Sequence, residues 1–365
     1  MTRPHRLRVP RPRTAAGRVA GVVGAAVGVA AAGLAAGVAS ERALVRRLKA
    51  DPTDPYAHEV FGDLSYDEAY RLEMPDGTDI HVEVVEPRRP IEGHPTVVFV
   101  HGFCLDMGTF HFQRKLLTER GDYRVVAYDQ PGHGRSGRLE TGEYDLERLG
   151  RTLRRVIDAT TPEGPLVLVG HSMGGMTIMA FAELFPELFG DRVVGTVLMA
   201  TSGGLLAESR LVAPALLSRV GAPVLYMVNN ATRYGGTVIE HARRSTQNVA
   251  WLLTRRLGFG TPKPSPALVS YVETMNSRTS ADTVTRYLRT LATHSRLPAL
   301  AALAGTPVLV VVGDKDLIIP ATHSEEIVRR LPHAAAVKIH ESGHVVMLEH
   351  ADQVNAALTR FLEGL

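Results

Sequence analysis

Cysteine is almost absent. Cys104 stands alone in 365 residues, which excludes an internal disulfide and any metal site built from several cysteines. That count fits the cytoplasm and, equally, an exported protein that does without disulfides. An excess of charge is lacking too: the formal net charge is +3, and much of it lies in the first eighteen residues. No basic stripe interleaved with aromatics follows, so nucleic acid is not an expected partner. No group of potential ligands has metal-binding spacing, and no cofactor is implied. What is present is a globular composition, 45% hydrophobic and 22% charged, which leaves no case for disorder over the chain as a whole. The length suits one large α/β core carrying an insertion.

The amino-terminal leader, residues 1–18, carries Arg3, Arg6, Arg8, Arg11, Arg13 and Arg18 without a twin-arginine pair. Residues 19–39 that follow are uncharged and long enough to cross a hydrocarbon core as a helix, though mostly Ala, Val and Gly. A signal anchor is the adopted reading, with the basic end inside and the folded body outside the cytoplasm. A cleaved secretory signal, or a soluble Ala-rich helix on a cytoplasmic protein, are the alternatives. Residues 40–63 read as a linker, because a basic cluster passes into a proline- and charge-rich stretch; the folded body is expected to start near Leu64.

Periodicity orders the body. Residues 68–74 and 79–85 alternate and are joined by Pro75-Asp76-Gly77-Thr78, which predicts an edge hairpin. The apolar run at 96–100 is what a strand buried on both faces looks like, and 123–128, 166–169, 193–199, 307–312 and 336–340 read as further strands. Helical patterns at about 112–120, 146–160, 173–188, 322–331 and 351–365 fall between them. The fold class is α/β, a doubly wound, mostly parallel eight-stranded sheet. Residues 201–298 break that alternation with amphipathic helical stretches at 210–220, 238–257, 266–276 and 281–294. They predict a helical cap inserted into a core of residues 64–200 and 299–365. Its apolar residues include Leu216, Leu217, Val224, Leu225, Met227, Trp251 and Leu252.

The chemistry centres on Gly170-His171-Ser172-Met173-Gly174, placed between a strand and a helix. Gly-x-Ser-x-Gly in that setting is a nucleophile elbow, a turn so tight that the serine is strained and raised above the sheet. A serine hydroxyl needs a base, and the base needs a carboxylate to hold its tautomer. The loop after the 307–312 strand offers Asp314 and Asp316. Asp316 is favoured for its reach, while Asp314 suits a turn-stabilising hydrogen bond. His344, after Gly343 at the end of the last strand, is the expected base. Backbone amides of Phe103 and Met173 are the expected donors to an oxyanion. Cys104, with no activating base beside it, reads as a packed residue.

With these residues in place the chain resembles the α/β-hydrolase fold superfamily, in the subgroup with a helical cap. The resemblance runs from about Tyr70 to Leu365. It rests on His101-Gly102, Asp129-x-x-Gly132-His133-Gly134-x-Ser136, the elbow through Gly175, Gly313-x-x-Asp316-x-x-x-Pro320 and Gly343-His344, all in family order. It implies a serine hydrolase with Ser172, Asp316 and His344 as its triad and Phe103 and Met173 as oxyanion donors, while His133 and His171 stay outside the charge relay. The expected partner is a small-molecule ester with an apolar acyl group of medium or long chain, as in monoacylglycerol-lipase-like enzymes, and residues 19–39 imply membrane association. Serine at 172 argues against epoxide hydrolases and haloalkane dehalogenases, which use aspartate there. Perhydrolases or haloperoxidases, carbon–carbon bond hydrolases and aminopeptidases keep the triad and stay open, as does a non-catalytic binding protein.

Overall fold

The computed structural model describes residues 40, 42–139, 144–204 and 236–365. The chain divides into two units, Met1–Ala50 and Asp51–Leu365. In the first, residues 42–49 are helical. The segment 19–39 lies outside the described residues, and among those no helix is long and apolar enough to cross a membrane.

The second unit carries eight strands: β1 (Glu68–Glu73), β2 (Asp79–Val85), β3 (Thr96–Val100), β4 (Val125–Tyr128), β5 (Leu166–His171), β6 (Val193–Met199), β7 (Val308–Gly313) and β8 (Ala335–Ile339). They form one sheet in the order β1-β2-β4-β3-β5-β6-β7-β8. β2 runs antiparallel to both neighbours, and every pairing from β4 across to β8 is parallel. The central strands β3, β5 and β7 are buried along their whole length, as continuous Val/Leu runs require. The edges are the exposed strands. Glu68, Arg71 and Glu73 on β1 and Lys338 on β8 put charge where another sheet could otherwise pair.

Helices α1 (His111–Arg120), α2 (Leu146–Thr160), α3 (Met173–Leu184), α4 (Gly236–Gly258), α5 (Pro266–Arg278), α6 (Ala281–Ala292), α7 (Ala321–Arg330) and α8 (Ala351–Leu362) complete the described framework, with short turns between them. α2 packs on α3, and α1 on α8. α3 ends at Leu184 rather than near 188, because Pro186 cannot continue an α-helix; a 3-10 turn, Pro186–Leu188, follows. From β3 the chain turns first to β4 and then back to β5 on the other side. The carboxyl ends of β3 and β5 therefore flank the point where the winding reverses, the usual ligand crevice of such sheets.

Helices α4, α5 and α6 stand between β6 and β7. Ser265 and Ser280 cap α5 and α6 by accepting the N–H of Leu268 and Thr283 (both 3.2 Å). The ends of the insertion meet in an antiparallel bridge between Gly204 and Ser295. Trp251 is fully buried, its indole N–H donating to Ser270 Oγ (2.9 Å). The expected helix at 210–220 and the apolar cap residues Leu216, Leu217, Val224, Leu225 and Met227 lie outside the described residues.

One boundary needs correction. Residues 51–63 form turns, as their composition demands, but they are docked on the body and are no free linker. Asp54 Oδ2 accepts the Ala267 N–H of α5 (2.9 Å). Glu59 pairs with Lys115 (2.7 Å) and His111 (2.8 Å) on α1. Phe61 stacks on Tyr271 at 4.6 Å between centroids. Local composition reports the lack of regular structure and says nothing about docking, so the body begins at Asp51 and not at Leu64.

Candidate active site

The elbow joins β5 to α3. Ser172 has φ 53° and ψ −118°, a region a non-glycine residue occupies only at a cost of about 1–3 kcal/mol. The surroundings hold it there: its N–H donates to the Met199 carbonyl (2.9 Å), and its own carbonyl accepts the Thr201 hydroxyl (2.6 Å). Gly174 lies so close to β3 that a Cβ at this position would fall on the Val100 carbonyl oxygen. The helix can approach the strand only as glycine.

Loops after β7 and β8 bring two further side chains to the serine. His344 Nε2 is 3.0 Å from Ser172 Oγ, and His344 Nδ1 is 2.8 Å from Asp316 Oδ2. The other oxygen, Asp316 Oδ1, accepts the N–H groups of Ile318 (2.8 Å) and Ile319 (2.9 Å), which locks the carboxylate plane. All three side chains are buried. Asp314 points elsewhere, to the exposed His340 (2.7 Å). Of the two aspartates on this loop, only Asp316 reaches His344.

The loop after β3 passes beside the serine. A Cβ on Gly102 would stand 3.1 Å from Ser172 Cβ and 2.7 Å from His171 Nδ1, so here too only glycine fits. Among the described residues neither the Phe103 N–H nor the Met173 N–H donates to a protein acceptor. Met173 opens α3, where helix geometry leaves the first N–H groups free and the dipole is positive. A serine with a buried base, a fixed carboxylate and two unspent N–H groups close by can carry out acyl transfer.

Behind this cluster lies a layer of buried neutral imidazoles whose part sequence reasoning missed. His101 Nε2 accepts the Gln130 N–H (2.8 Å), while its Nδ1–H donates to the Gly102 carbonyl (2.7 Å). Gln130 returns a bond from Nε2 to the His101 carbonyl (2.6 Å) and accepts the Thr177 hydroxyl from α3 (2.9 Å). His133 Nε2 accepts the Cys104 N–H (3.1 Å), and its Nδ1–H donates to the Pro131 carbonyl (3.1 Å). His171 Nε2–H donates to the carbonyl of His344 (3.0 Å). An imidazole that accepts an N–H must be neutral, and burial keeps these so. His101 is lowered to about 3, His133 to about 4, and His171 well below 6.5. The sequence held one usable signal, polar residues inside otherwise apolar strand ends, but not their partners. Asp129 wraps the following loop: Oδ1 accepts the Met107 N–H (2.9 Å) and Oδ2 the Arg135 N–H (2.8 Å). Cys104 is half-buried, and desolvation pushes its thiol up to about 12, away from the reactive thiolate.

These imidazoles make stability acid-sensitive. Each has a folded value depressed below the ordinary 6.5, so the unfolded chain takes up protons that the folded chain refuses. His294, lowered to about 4 by burial, adds to them. Asp129, raised to about 6 by burial and the Asp106 charge, binds its proton earlier when folded and offsets part of the effect. Stability is therefore greatest above pH 6.5 and falls as pH drops towards 4, with a net uptake of protons on unfolding. Urea midpoints between pH 7 and pH 4.5 check this; a flat profile contradicts it.

Known proteins share this architecture. A family model described as the alpha/beta hydrolase fold matches residues 95–351. The chain is 30% identical over 280 residues to the dihydrolipoyllysine-residue acetyltransferase component of an acetoin cleaving system from Pseudomonas putida, covering 74% of this chain but only 64% of that protein's length. It is 28% identical over 299 residues to a pimeloyl-[acyl-carrier protein] methyl ester esterase from Xanthomonas axonopodis pv. citri, covering 78% of this chain and all of that one. A solved structure of a thermophilic esterase from Thermogutta terrifontis superposes with a TM-score of 0.61 at 24% identity, over 81% of this chain and 98% of that one, a likeness of fold. The matched residues contain the parallel strands and the whole Ser172–His344–Asp316 cluster, and the chain belongs to the α/β hydrolase fold family.

Proposed function

We propose that the chain is a serine hydrolase of carboxylic esters. The observation that carries this reading is the unbroken line of hydrogen bonds from Ser172 Oγ through His344 to Asp316, at 3.0 and 2.8 Å. Ser172 Oγ attacks the acyl carbon as His344 Nε2 takes its proton. The imidazolium that forms is stabilised by Asp316, whose carboxylate keeps Nδ1 protonated and Nε2 free to act as the base. The negative charge on the former carbonyl oxygen is received by the N–H groups of Phe103 and Met173. A single donor of this kind contributes about 3–4 kcal/mol to the barrier. His344 then protonates the departing alcohol. In the second half it draws a proton from water, which attacks the acyl-enzyme and releases the acid and Ser172.

The proposed ester carries an apolar acyl group. Phe103 packs in a partly buried position against the rings of His133 and the cap residue Tyr287, each 6.1 Å away. The similarity to a pimeloyl-[acyl-carrier protein] methyl ester esterase supports an ester as the substrate. Residues 19–39 are proposed to hold the enzyme at a membrane, with residues 51–365 outside the cytoplasm.

The test is a series of p-nitrophenyl esters from acetate to laurate given to the full chain. A rate rising with chain length is expected, together with labelling of Ser172 by a fluorophosphonate. Labelling without turnover of any ester would move the reading to another serine-triad reaction, such as peroxide-dependent halogenation or aminoacyl-anilide cleavage. Absence of labelling would leave a binding protein. Recovery of the chain in the carbonate-washed membrane fraction checks the anchoring, and recovery in the supernatant contradicts it.

A further inference from the structure

Glu349 is half-buried at the end of a single helical turn, Val346–Glu349, five residues beyond His344. Its carboxylate faces back towards two loops at once. Oε2 accepts the Gly343 N–H (2.6 Å), immediately before His344 in the chain. Oε1 accepts the N–H groups of Gly260 (2.9 Å) and Thr261 (2.8 Å), in the connection between cap helices α4 and α5. The same two loops meet again where the Val345 N–H donates to the Gly258 carbonyl (3.0 Å). Gly343 is pressed so close that a Cβ there would stand 2.6 Å from both the Gly258 carbonyl oxygen and the Gly260 nitrogen. On its inner side His344 is held by Asp316 and by the His171 ring. On its outer side the bond at Gly343, the residue preceding it, comes from Glu349.

We propose that Glu349 is a positioning residue: it staples the loop carrying His344 to the α4–α5 connection, so that the seating of the cap sets the placement of the base. A carboxylate is suited to this because it accepts at both oxygens and meets only donors here, the three N–H groups and, at 3.4 Å from Oε2, the Ser342 hydroxyl. Glutamine has the same shape but one acceptor oxygen. If that oxygen keeps the Gly260 and Thr261 N–H groups, the amide NH2 is turned against the Gly343 N–H, donor against donor. If it keeps Gly343, the NH2 is turned against the Thr261 N–H, and the cap connection retains only the longer Gly260 N–H bond to that oxygen (3.2 Å). Either way the link between the two loops is weakened to the Val345–Gly258 bond and at most one side of the carboxylate bridge. A shift of the base by about 1 Å costs on the order of a hundredfold in rate, even when substrate binding is untouched.

The inference rests on the proposed role of His344 as base, and the experiment keeps the two apart. Glu349→Gln and the shorter Glu349→Asp are compared with the unaltered protein on p-nitrophenyl acetate, which requires little of the cap. Fluorophosphonate labelling rates, the downfield NMR resonance of the His344 Nδ1 proton and thermal midpoints are measured alongside. For Glu349→Gln the expected result is a kcat lower by about tenfold to a hundredfold, with KM changed by less than about threefold. Labelling slows by a similar factor, and the downfield resonance shifts or broadens. Glu349→Asp, which keeps a carboxylate, recovers part of the loss. Folded Glu349→Gln with kcat and labelling within twofold of the unaltered protein overturns the proposal, whatever happens to its thermal midpoint. If Glu349→Gln does not fold, Glu349→Asp decides by the same criteria. If no ester is turned over but labelling is slowed by the substitution, the ester reading fails and the positioning role stands. If the unaltered protein is not labelled, the serine-hydrolase reading fails and takes the proposal with it.

Discussion

Ser172→Ala is expected to lower kcat for ester hydrolysis on the order of a million-fold and to leave the fold intact. The size follows from the chemistry: without Oγ there is no acyl-enzyme, and the remaining N–H donors and binding contacts support only a residual rate of about a thousandfold to ten-thousandfold over water. The innocence towards folding follows from the structure. The Ser172 side chain makes one hydrogen bond, to His344, whereas its backbone bonds to Met199 and Thr201 do not involve Oγ. Alanine keeps the Cβ and meets the same backbone strain at φ 53°. KM is expected to change little, and the thermal midpoint to stay within a few degrees. Steady-state rates, corrected by active-site titration for any contaminating wild-type enzyme, check this. A variant within tenfold of the parent contradicts the assignment of the nucleophile.

The second large effect is expected at Asp316→Asn, about ten-thousandfold in kcat. The reason is specific to how this carboxylate is held. Oδ1 accepts two N–H groups, from Ile318 and Ile319, so in asparagine the amide oxygen stays at that position. The NH2 group then occupies the Oδ2 position, 2.8 Å from His344 Nδ1. Facing a donor, Nδ1 becomes the acceptor and the ring proton moves to Nε2, which points at Ser172 Oγ. An imidazole in that tautomer cannot take the serine proton. Geometry is preserved while function is lost, and labelling by a fluorophosphonate should fall in parallel with kcat. Asp314→Asn is the matched control: Asp314 contacts His340 at the surface, and its substitution is expected to leave kcat within about twofold. Equal losses at the two aspartates contradict the reading.

Much of the fold was legible because its cause is local. A run such as residues 96–100 is apolar at every position because both faces are covered, and the structure has β3 with those bounds. Pro75-Asp76-Gly77-Thr78 turns the chain between β1 and β2 wherever the hairpin is placed. The elbow motif announces itself because glycine is demanded twice within five residues: a Cβ at Gly170 would stand 2.7 Å from the Gly174 carbonyl oxygen, and one at Gly174 would fall on the Val100 carbonyl oxygen. Docking of residues 51–63 was not legible. Asp54, Glu59 and Phe61 meet partners more than fifty residues away, and no period records such a contact.

The same division runs through the site. By itself the sequence determined the order of the parts, serine before aspartate before histidine, each at the end of an apolar run, because strand periodicity and motif spacing are written along the chain. It offered two aspartates only two residues apart on one loop, and several histidines. Tertiary structure decided among them, setting Asp314 on His340 and Asp316 on His344. It also chose the tautomers of His101, His133 and His171 through partners such as Gln130, and joined Glu349 to two loops at once. Those choices depend on hydrogen-bond directions between segments far apart in the chain, and such directions exist only once the sheet has brought the segments together.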